Sequence, residues 1–534
     1  LASIPDARPP GSVECRQKTR KKNEQRMATT RTRRREAPSG RAGFLGRAQS
    51  SPGKSSPGNS SPGPRKRDKA VAPGADEILF LPLGGCSRIG MNMALYGHAG
   101  KWMIVDAGVA FMGDEAPGIE ALMADPSFIE ERIDDVVGLV VTHAHEDHIG
   151  AIHRLWPRLD CPIYATPFAA HVVRERLKEA GSARQVRVNT VAIGEEFVLG
   201  PFRVETIAMT HSVPEPVALA IRTAAGTVLH TGDWKFDPDP LVGRAPDFDA
   251  LRRLGEEGVL GMTCDSTNAM VEGSTGSEAK ARDGLVEAFR GRRGAIAVTC
   301  FASNVARMQA VAEAAAANGR KVVLAGRSLL RMEKAARACG YLAGVPPFLD
   351  LDDASDLPRR ELVLMCTGSQ GEERAALSRI ARGEHRSLNL RAGDTVIFSA
   401  RTIPGNEEAI GEIHRLLKER GVEIVTPADA PVHVSGHPAR DDLRRLYALV
   451  KPRFAIPVHG TIEHLEAHAR LARTCGVERA LVPEDGDLIR LSATDTRVVG
   501  RVEPLRLADD GQQLLPWTGP IGPEAPPESN RVAA

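Results

Sequence analysis

Residues 142–151 read Thr-His-Ala-His-Glu-Asp-His-Ile-Gly-Ala, and this decamer decides the fold. It places four potential metal ligands, His143, His145, Asp147 and His148, on one short turn. The run before it, Val136–Val141, is apolar and rich in valine; the run after it, Ile149–Leu155, has helical character. The ligands therefore stand where a buried strand ends and a helix begins. Imidazole and carboxylate together suit zinc or manganese. A histidine-rich loop with no metal could share the composition, but hardly four donors at this spacing behind a hydrophobic strand.

Working outward, the chain has 534 residues, enough for two or three domains and a sizeable core. No apolar run approaches the roughly 20 residues of a membrane span, so no membrane partner is expected. The eight cysteines, Cys15, Cys86, Cys161, Cys264, Cys300, Cys339, Cys366 and Cys475, form no Cys-x-x-Cys pair, and several lie in strand-like runs. They read as buried reduced thiols of a cytoplasmic protein. The net charge of +2 hides an asymmetry: residues 1–70 hold 18 Lys/Arg against 5 Asp/Glu, leaving an acidic body behind a basic tail. That tail repeats Ser-Pro-Gly at 51–53, 56–58 and 61–63 and cannot bury enough apolar surface to offset its ordering entropy. Residues 1–74 are expected to be disordered. A polyanion-binding arm and an upstream translation artefact before Met27 are both open readings.

Order is expected from about residue 75, with short strands at Ile78–Leu83, Met91–Tyr96 and Trp102–Asp106. A helix at 168–180 and strands near 202–209, 217–223 and 227–231 follow the metal turn. From about 276 the pattern changes to strands alternating with helices: 278–290, 294–299, 303–318, 321–325, 329–339, 362–366, 371–382, 395–399, 406–420 and 422–426. Such alternation implies βαβ units and a parallel sheet. Further elements are expected at 440–450, 455–458, 461–475 and 480–483, and a loose Pro-rich tail from 496. The expected division is a tail at 1–74, a first domain at 75–275 resumed at 435–495, an inserted domain at 276–434, and a tail at 496–534.

Two metals need more ligands than one turn supplies, and donors converge best at strand ends. His211 follows Val204–Met209, Asp233 follows Val228–Thr231 in His-Thr-Gly-Asp-Trp, and His459 follows Ala455–Val458 in Pro-Val-His-Gly. Each alone reads as a loop residue; together they read as one site.

This set, in its order and spacing, resembles the metallo-β-lactamase fold, an αββα sandwich. The resemblance implies that His143, His145 and His211 hold one zinc, that Asp147, His148 and His459 hold the other, and that Asp233 bridges. It gives Asp106, in Ile-Val-Asp-Ala-Gly, a structural role. The inserted α/β region resembles the β-CASP domain of nucleic-acid-processing members, with Asp265 in Cys-Asp-Ser-Thr-Asn as motif A, His437 in His-Val-Ser-Gly-His as motif B, and His459 as motif C. A histidine at motif C is the RNA-processing pattern. Thr-Gly-Asp-Trp-Lys-Phe-Asp (231–237), Phe-Ala-Ser-Asn-Val (301–305), Thr-Gly-Ser-Gln-Gly-Glu (367–372) and Pro-Gly-Asn-Glu (404–407) are similar to bacterial ribonuclease J, over about 78–490. Arg88 and Thr461 stand where that family commonly has Glu, and its usual further C-terminal domain is expected to be missing.

What the resemblance implies is a ribonuclease of RNA maturation and decay, acting 5′-to-3′ as an exonuclease with endonuclease action beside it. Two Zn²⁺, or Mn²⁺ in their place, would activate a water for in-line attack on phosphorus. Asp147 would orient the nucleophile, His437 would stabilise the phosphate or protonate the leaving oxygen, and Asp265 of motif A would be a further catalytic residue. Ser369, His433, Ser435, Gly436 and His437 would form a 5′-monophosphate pocket. The partner is single-stranded RNA, preferably 5′-monophosphorylated, passing between the domains near Lys235 and Arg401, with Phe301 as a base-stacking or a core residue. A homodimer or tetramer is open. Rival readings are a small-molecule hydrolase on the same fold, which the long insertion disfavours; a non-catalytic RNA-binding factor, which the intact ligand set disfavours; and a pure RNA endonuclease.

Overall fold

Period-2 alternation in the strands builds the layers of this chain. In the computed structural model, which describes residues 71–519 apart from 112–115, 117, 183 and 404, Ile78 and Phe80 of the strand Ile78–Gly84 face one core while Leu79 and Leu81 face another. Tyr96 and Leu95 divide in the same way, as do Met103 and Val105 against Trp102 and Ile104. These strands belong to an eight-stranded sheet ordered Thr496–Arg501, Asp487–Leu491, Ile78–Gly84, Met93–His98, Lys101–Val105, Val136–Val140, Ile163–Ala165, Val188–Thr190. A seven-stranded sheet is ordered Arg479–Ala480, Phe454–Val458, Gly261–Asp265, Gly226–His230, Val217–Thr223, Phe202–Ala208, Glu196–Leu199. The inner faces of the two sheets share one core, in which Phe80, Tyr96 and Val105 meet Val204, Leu219, Val228 and Ile456. Helices Ile152–Leu159 and Pro167–Glu179 cover the outer face of the first sheet. Phe248–Glu257, Arg440–Val450 and Ile462–Thr474 cover the second. The result is the expected αββα sandwich.

The inserted region forms the expected parallel sheet, ordered Lys321–Ala325, Leu362–Cys366, Ile296–Thr299, Thr395–Phe398, Glu423–Val425. Its strands are apolar on both faces because both are covered. Ile296, Val298, Val363 and Met365 pack with Met308, Val311 and Leu329, whereas Ala297, Val323, Leu364 and Val396 pack with Leu377, Ile380, Ile413 and Leu417. The helix expected at 371–382 begins only at Ala376. Gly371 has φ +80°, and a Cβ there would lie 2.7 Å from backbone of Ala409, so the loop must continue past it.

The tail expected from 496 is a correction. Thr496–Arg501 adds an edge to the eight-stranded sheet, and Arg506–Asp509 with Leu514–Trp517 joins Val109–Phe111 and Ala121–Ala124 in a four-stranded sheet. Pro516 sits on the outermost strand, where a missing N–H costs no ladder bond. Asp509 takes Arg154 at 2.7 and 2.9 Å, which fastens this segment to the helix behind the metal turn. Residues 1–70 of the expected basic tail, and those beyond 519, lie outside the described residues.

At the junction of the sandwich with the inserted region lies a buried ionic network. Lys235 Nζ is 3.5 Å from both Asp237 and Glu278, and Arg307 donates to Glu278 at 2.9 Å and to the Val432 carbonyl at 3.0 Å. Lys235, Asp237 and Arg307 are completely buried. Lys235 therefore cannot contact an RNA backbone, contrary to the sequence expectation; its charge is spent inside the protein. Removing a shared carboxylate from such a network leaves buried cations uncompensated. Glu278→Ala should destabilise the fold by about 3–5 kcal/mol, read as a lower urea midpoint; an unchanged midpoint would contradict the network's role.

Candidate metal centre

Three parallel strands bring the second half of the centre together. Gly226–His230, Gly261–Asp265 and Phe454–Val458 run side by side, with Val228 opposite Gly261 and Asp265 opposite Val458. Their C-terminal ends thus deliver Asp233, Asp265 and His459 to one edge of the sandwich. Lys101–Val105 and Val136–Val140, parallel in the other sheet, deliver Asp106 and the metal turn to the same edge. Asp106 and His459 leave their strands at φ 60° and 56°. Left-handed backbone at non-glycine residues is uncommon, and here it aims two site side chains.

The metal turn is sewn to the sheet through its backbone. Asn92 donates from backbone and side chain to the Asp147 carbonyl, each at 3.0 Å, and Ala107 N–H donates to the His148 carbonyl at 2.8 Å. Gly108 makes this approach possible: a Cβ there would fall 1.6 Å from the Asp147 carbonyl oxygen.

Each imidazole is held by one nitrogen from outside. The Nδ1 of His143 meets Thr142 Oγ1 at 3.0 Å, and Nε2 of His145 meets Ser212 Oγ at 3.2 Å. His148 Nδ1 meets Asp106 at 2.7 Å, His211 Nδ1 meets the Gly436 carbonyl at 2.6 Å, and His459 Nδ1 meets Thr267 Oγ1 at 2.9 Å. Asp106 also accepts from Thr142 N–H and Oγ1, so its role is to fix geometry. These outer partners set the tautomers and leave the other nitrogens facing inward.

The inward nitrogens converge. His145 Nδ1 lies 3.1 Å from His143 Nε2 and 3.0 Å from His211 Nε2, near the roughly 3.3 Å edge that a tetrahedron with bonds of about 2.0–2.1 Å would have. Asp233 Oδ2 is 3.9 Å from both His143 and His211 and 3.3 Å from His148 Nε2. His459 Nε2 is 3.1 Å from Asp147, and its Nδ1 is 3.5 Å from Asp233. Two four-donor groups result, His143, His145, His211 and Asp233, and Asp147, His148, Asp233 and His459, with Asp233 common to both. A third group joins Asp233, Asp265, His437 and His459. The donors are of the right kind and direction for metal ions.

The electrostatics divide the centre. Burial, reinforced by neighbouring imidazoles, holds His143 and His211 well below the usual histidine range, and burial brings His145 down to about 4. These three are neutral and ready to ligate. In the other half, against the upward push of burial, His459 and His148 hold Asp233 down at about 2. Against the opposite push of burial on imidazoles, Asp233 and Asp147 raise His148, and Asp233 with Asp147 and Asp265 raises His459 to about 10.

The rest of the sequence-derived set is placed as follows. His437 Nδ1 meets Asp265 at 2.8 Å beside the cluster. Gly436 leans on His211, where a Cβ would lie 2.5 Å from the ring. Ser435 Oγ accepts from Asn268 at 2.8 Å, and Asn268 accepts from the exposed Arg401 at 2.9 Å. Ser369 is buried with its hydroxyl unpartnered, and the next residue, Gln370, donates to the Arg401 carbonyl at 2.9 Å. His433 lies instead toward Arg307, Glu278 and Lys235, with Nδ1 unpartnered. Phe301 is 39% exposed, which disfavours the core reading. Sequence reasoning missed Asn92, Ser212 and Thr267 as supports; only Thr267, two residues after the strand-end Asp265, carried a local signal.

Family models for the metallo-beta-lactamase superfamily, the ribonuclease J beta-CASP domain and the Zn-dependent metallo-hydrolase RNA specificity domain match residues 90–262, 293–417 and 430–483. Ribonuclease J of Sinorhizobium meliloti is 44% identical over 440 residues, 82% of this chain and 78% of that protein. Ribonuclease J of Mycolicibacterium smegmatis is 44% identical over 456 residues, 85% and 80% respectively. A crystal structure of a protein of unknown function from Enterococcus faecalis V583 superposes with a TM-score of 0.54 at 16% identity, over 78% of this chain and all of that one, a likeness of fold.

Two outcomes follow from the geometry. Gly108→Ala should displace the metal turn, and Asp106→Asn should weaken metal uptake by about 10–100-fold, both read by metal content after dialysis against a weak chelator; full occupancy in both would contradict the outer-partner argument. Because His148 and His459 hold protons that ligation must displace, uptake should release protons and weaken as pH falls. Calorimetry in two buffers of different protonation enthalpy reads the number, and identical heats would refute it.

Proposed function

The chain belongs to the ribonuclease J family, metal-dependent ribonucleases of RNA processing, and on that footing we propose that it degrades single-stranded RNA processively from a 5′-monophosphate end. The observation that carries the reading is the juxtaposition of the two donor groups sharing Asp233 with the Ser435–Gly436–His437 segment. His143, His145 and His211 would hold one zinc ion, Asp147, His148 and His459 the other, with Asp233 between them; Mn²⁺ suits the same donors less specifically. When bound, the ions supply a water nucleophile at neutral pH and neutralise charge on the phosphodiester.

The chain's own residues do the rest. Asp265 holds His437 by Nδ1 and, against the lowering effect of burial, raises its proton affinity. His437 then donates a proton to the leaving 3′ oxygen as the phosphodiester opens. Asp147, fixed through its backbone by Asn92, orients the attacking water. The buried, unpartnered hydroxyl of Ser369 and the Ser435 hydroxyl supply donors for a terminal 5′-phosphate, with Arg401 adding positive charge nearby. Phe301, exposed two residues past strand Ile296–Thr299, would stack on a base. The domain division we adopt is 75–275 with 435–495 as the host and 276–434 as the insertion. Free cysteines at seven described positions, and the absence among the described residues of a helix long and apolar enough to cross a membrane, support a cytoplasmic location.

One RNA carrying 5′-monophosphate, 5′-triphosphate or 5′-hydroxyl tests the reading. Mononucleotides should be released fastest from the monophosphate. His437→Ala should lower kcat by about 10²–10⁴-fold with metal content retained, and Ser369→Ala should narrow the preference among 5′ ends. Internal fragments appearing at equal rates from all three substrates would replace the exonuclease reading with an endonuclease.

A further inference from the structure

Four residues beyond His211, in Val-Pro-Glu-Pro-Val (213–217), Glu215 sits at φ 59° with its side chain buried. Neither the ligand set nor the phosphate pocket uses it. Its Oε2 accepts the Phe168 N–H at 2.7 Å, at the start of helix Pro167–Glu179, and its own carbonyl accepts Thr166 Oγ1 at 3.3 Å. Its Oε1 accepts the Tyr341 hydroxyl at 2.9 Å. Tyr341 belongs to the inserted domain, just past helix Arg327–Ala338, and its ring meets Phe168 edge-on at 6.1 Å. One carboxylate thus joins three pieces: the His211 loop, a helix of the sandwich, and the insertion.

The loop is short and stiff. Pro214 and Pro216 flank Glu215 and fix φ on either side. Beyond it Val217 N–H donates to the Thr142 carbonyl at 3.1 Å, and Thr142 precedes the metal turn. At its other end His211 leans on the Gly436 carbonyl, in the segment that returns from the inserted domain. A shift of the insertion therefore reaches His211 from both sides, through Tyr341 and Glu215 and through Gly436. The left-handed backbone at Glu215 is what turns its carboxylate away from the loop toward Phe168 and Tyr341.

We propose that Glu215 and Tyr341 form a positioning strut that couples the seating of the inserted domain to the metal ligand His211. The inference rests on His211 being a ligand, as argued above. Neither residue touches substrate; both act by holding the imidazole where His143 and His145 converge. Domain placement and metal retention are then one property, and a chain whose insertion is displaced loses the three-histidine ion first.

Co²⁺ titration of the metal-free full chain, followed by absorbance, tests this alongside steady-state cleavage of RNA. His211→Ala identifies the equivalent bound by the three histidines. Tyr341→Phe keeps the ring on Phe168 and removes only the hydroxyl; Glu215→Gln keeps the size and removes the charge. Each should weaken that equivalent by about tenfold, leave the other unchanged, and lower kcat with little change in KM. The double variant should be no worse than the poorer single one, because both break the same link. Parent-like binding of both equivalents in Tyr341→Phe and Glu215→Gln would overturn the strut, and so would an equal weakening of both with a lowered melting temperature, which marks general destabilisation. If His211→Ala binds both equivalents as the parent does, the ligand reading itself fails and the strut with it.

Discussion

Asp233 shares one donor group with Asp147 and another with Asp265, the first of these partners partly exposed and Asp233 and Asp265 buried, and the rest of the structure depends on that confinement. Ionised carboxylates do not persist in a protein interior without cations or directed hydrogen bonds. The centre answers with imidazoles on every side. In one half they stay neutral and offer lone pairs; in the other they take up protons from the pull of the aspartates. A rigid frame has to hold these groups against their own repulsions. The parallel strands supply it, because their registers fix Asp233, Asp265 and His459 to one edge with no long loop between strand and ligand.

The same constraint accounts for the departures from regular backbone near the site. Left-handed Asp106, His459 and Glu215 are each held by at least one strong hydrogen bond: Asp106 to Thr142, His459 N–H to the Gly85 carbonyl at 2.7 Å, and Glu215 to Phe168. Strain of that kind persists only where the surroundings over-determine it. The buried network of Lys235, Asp237, Glu278 and Arg307 repeats the pattern at the domain junction, where opposite charges from distant segments settle one another.

What could be read from the sequence follows from how local each signal is. The donors of the metal turn announce themselves by residue type and by the apolar strand before them, and the strand-end positions of His211, Asp233 and His459 need only a period-2 pattern followed by a break. The parallel sheet was legible for the same reason, since both-face burial leaves continuous apolar runs. Lys235 was misread because nothing in Trp-Lys-Phe reveals that its partner Glu278 lies on another element. Asn92, Ser212 and Glu215 are ordinary polar residues whose work exists only in long-range contacts. The strands after 496 were missed because they are short, partly exposed and carry a proline, which are the properties of edges.

The first strand of the eight-stranded sheet, Ile78–Gly84, pairs on one side with Met93–His98 and on the other with Asp487–Leu491. His459 reaches the centre from the same late part of the chain. Synthesis runs from the N-terminus at about 5–20 residues per second, so the metal turn leaves the ribosome long before its last donor and the strand that closes its sheet. The donor groups that include His459 can therefore come together only late in synthesis.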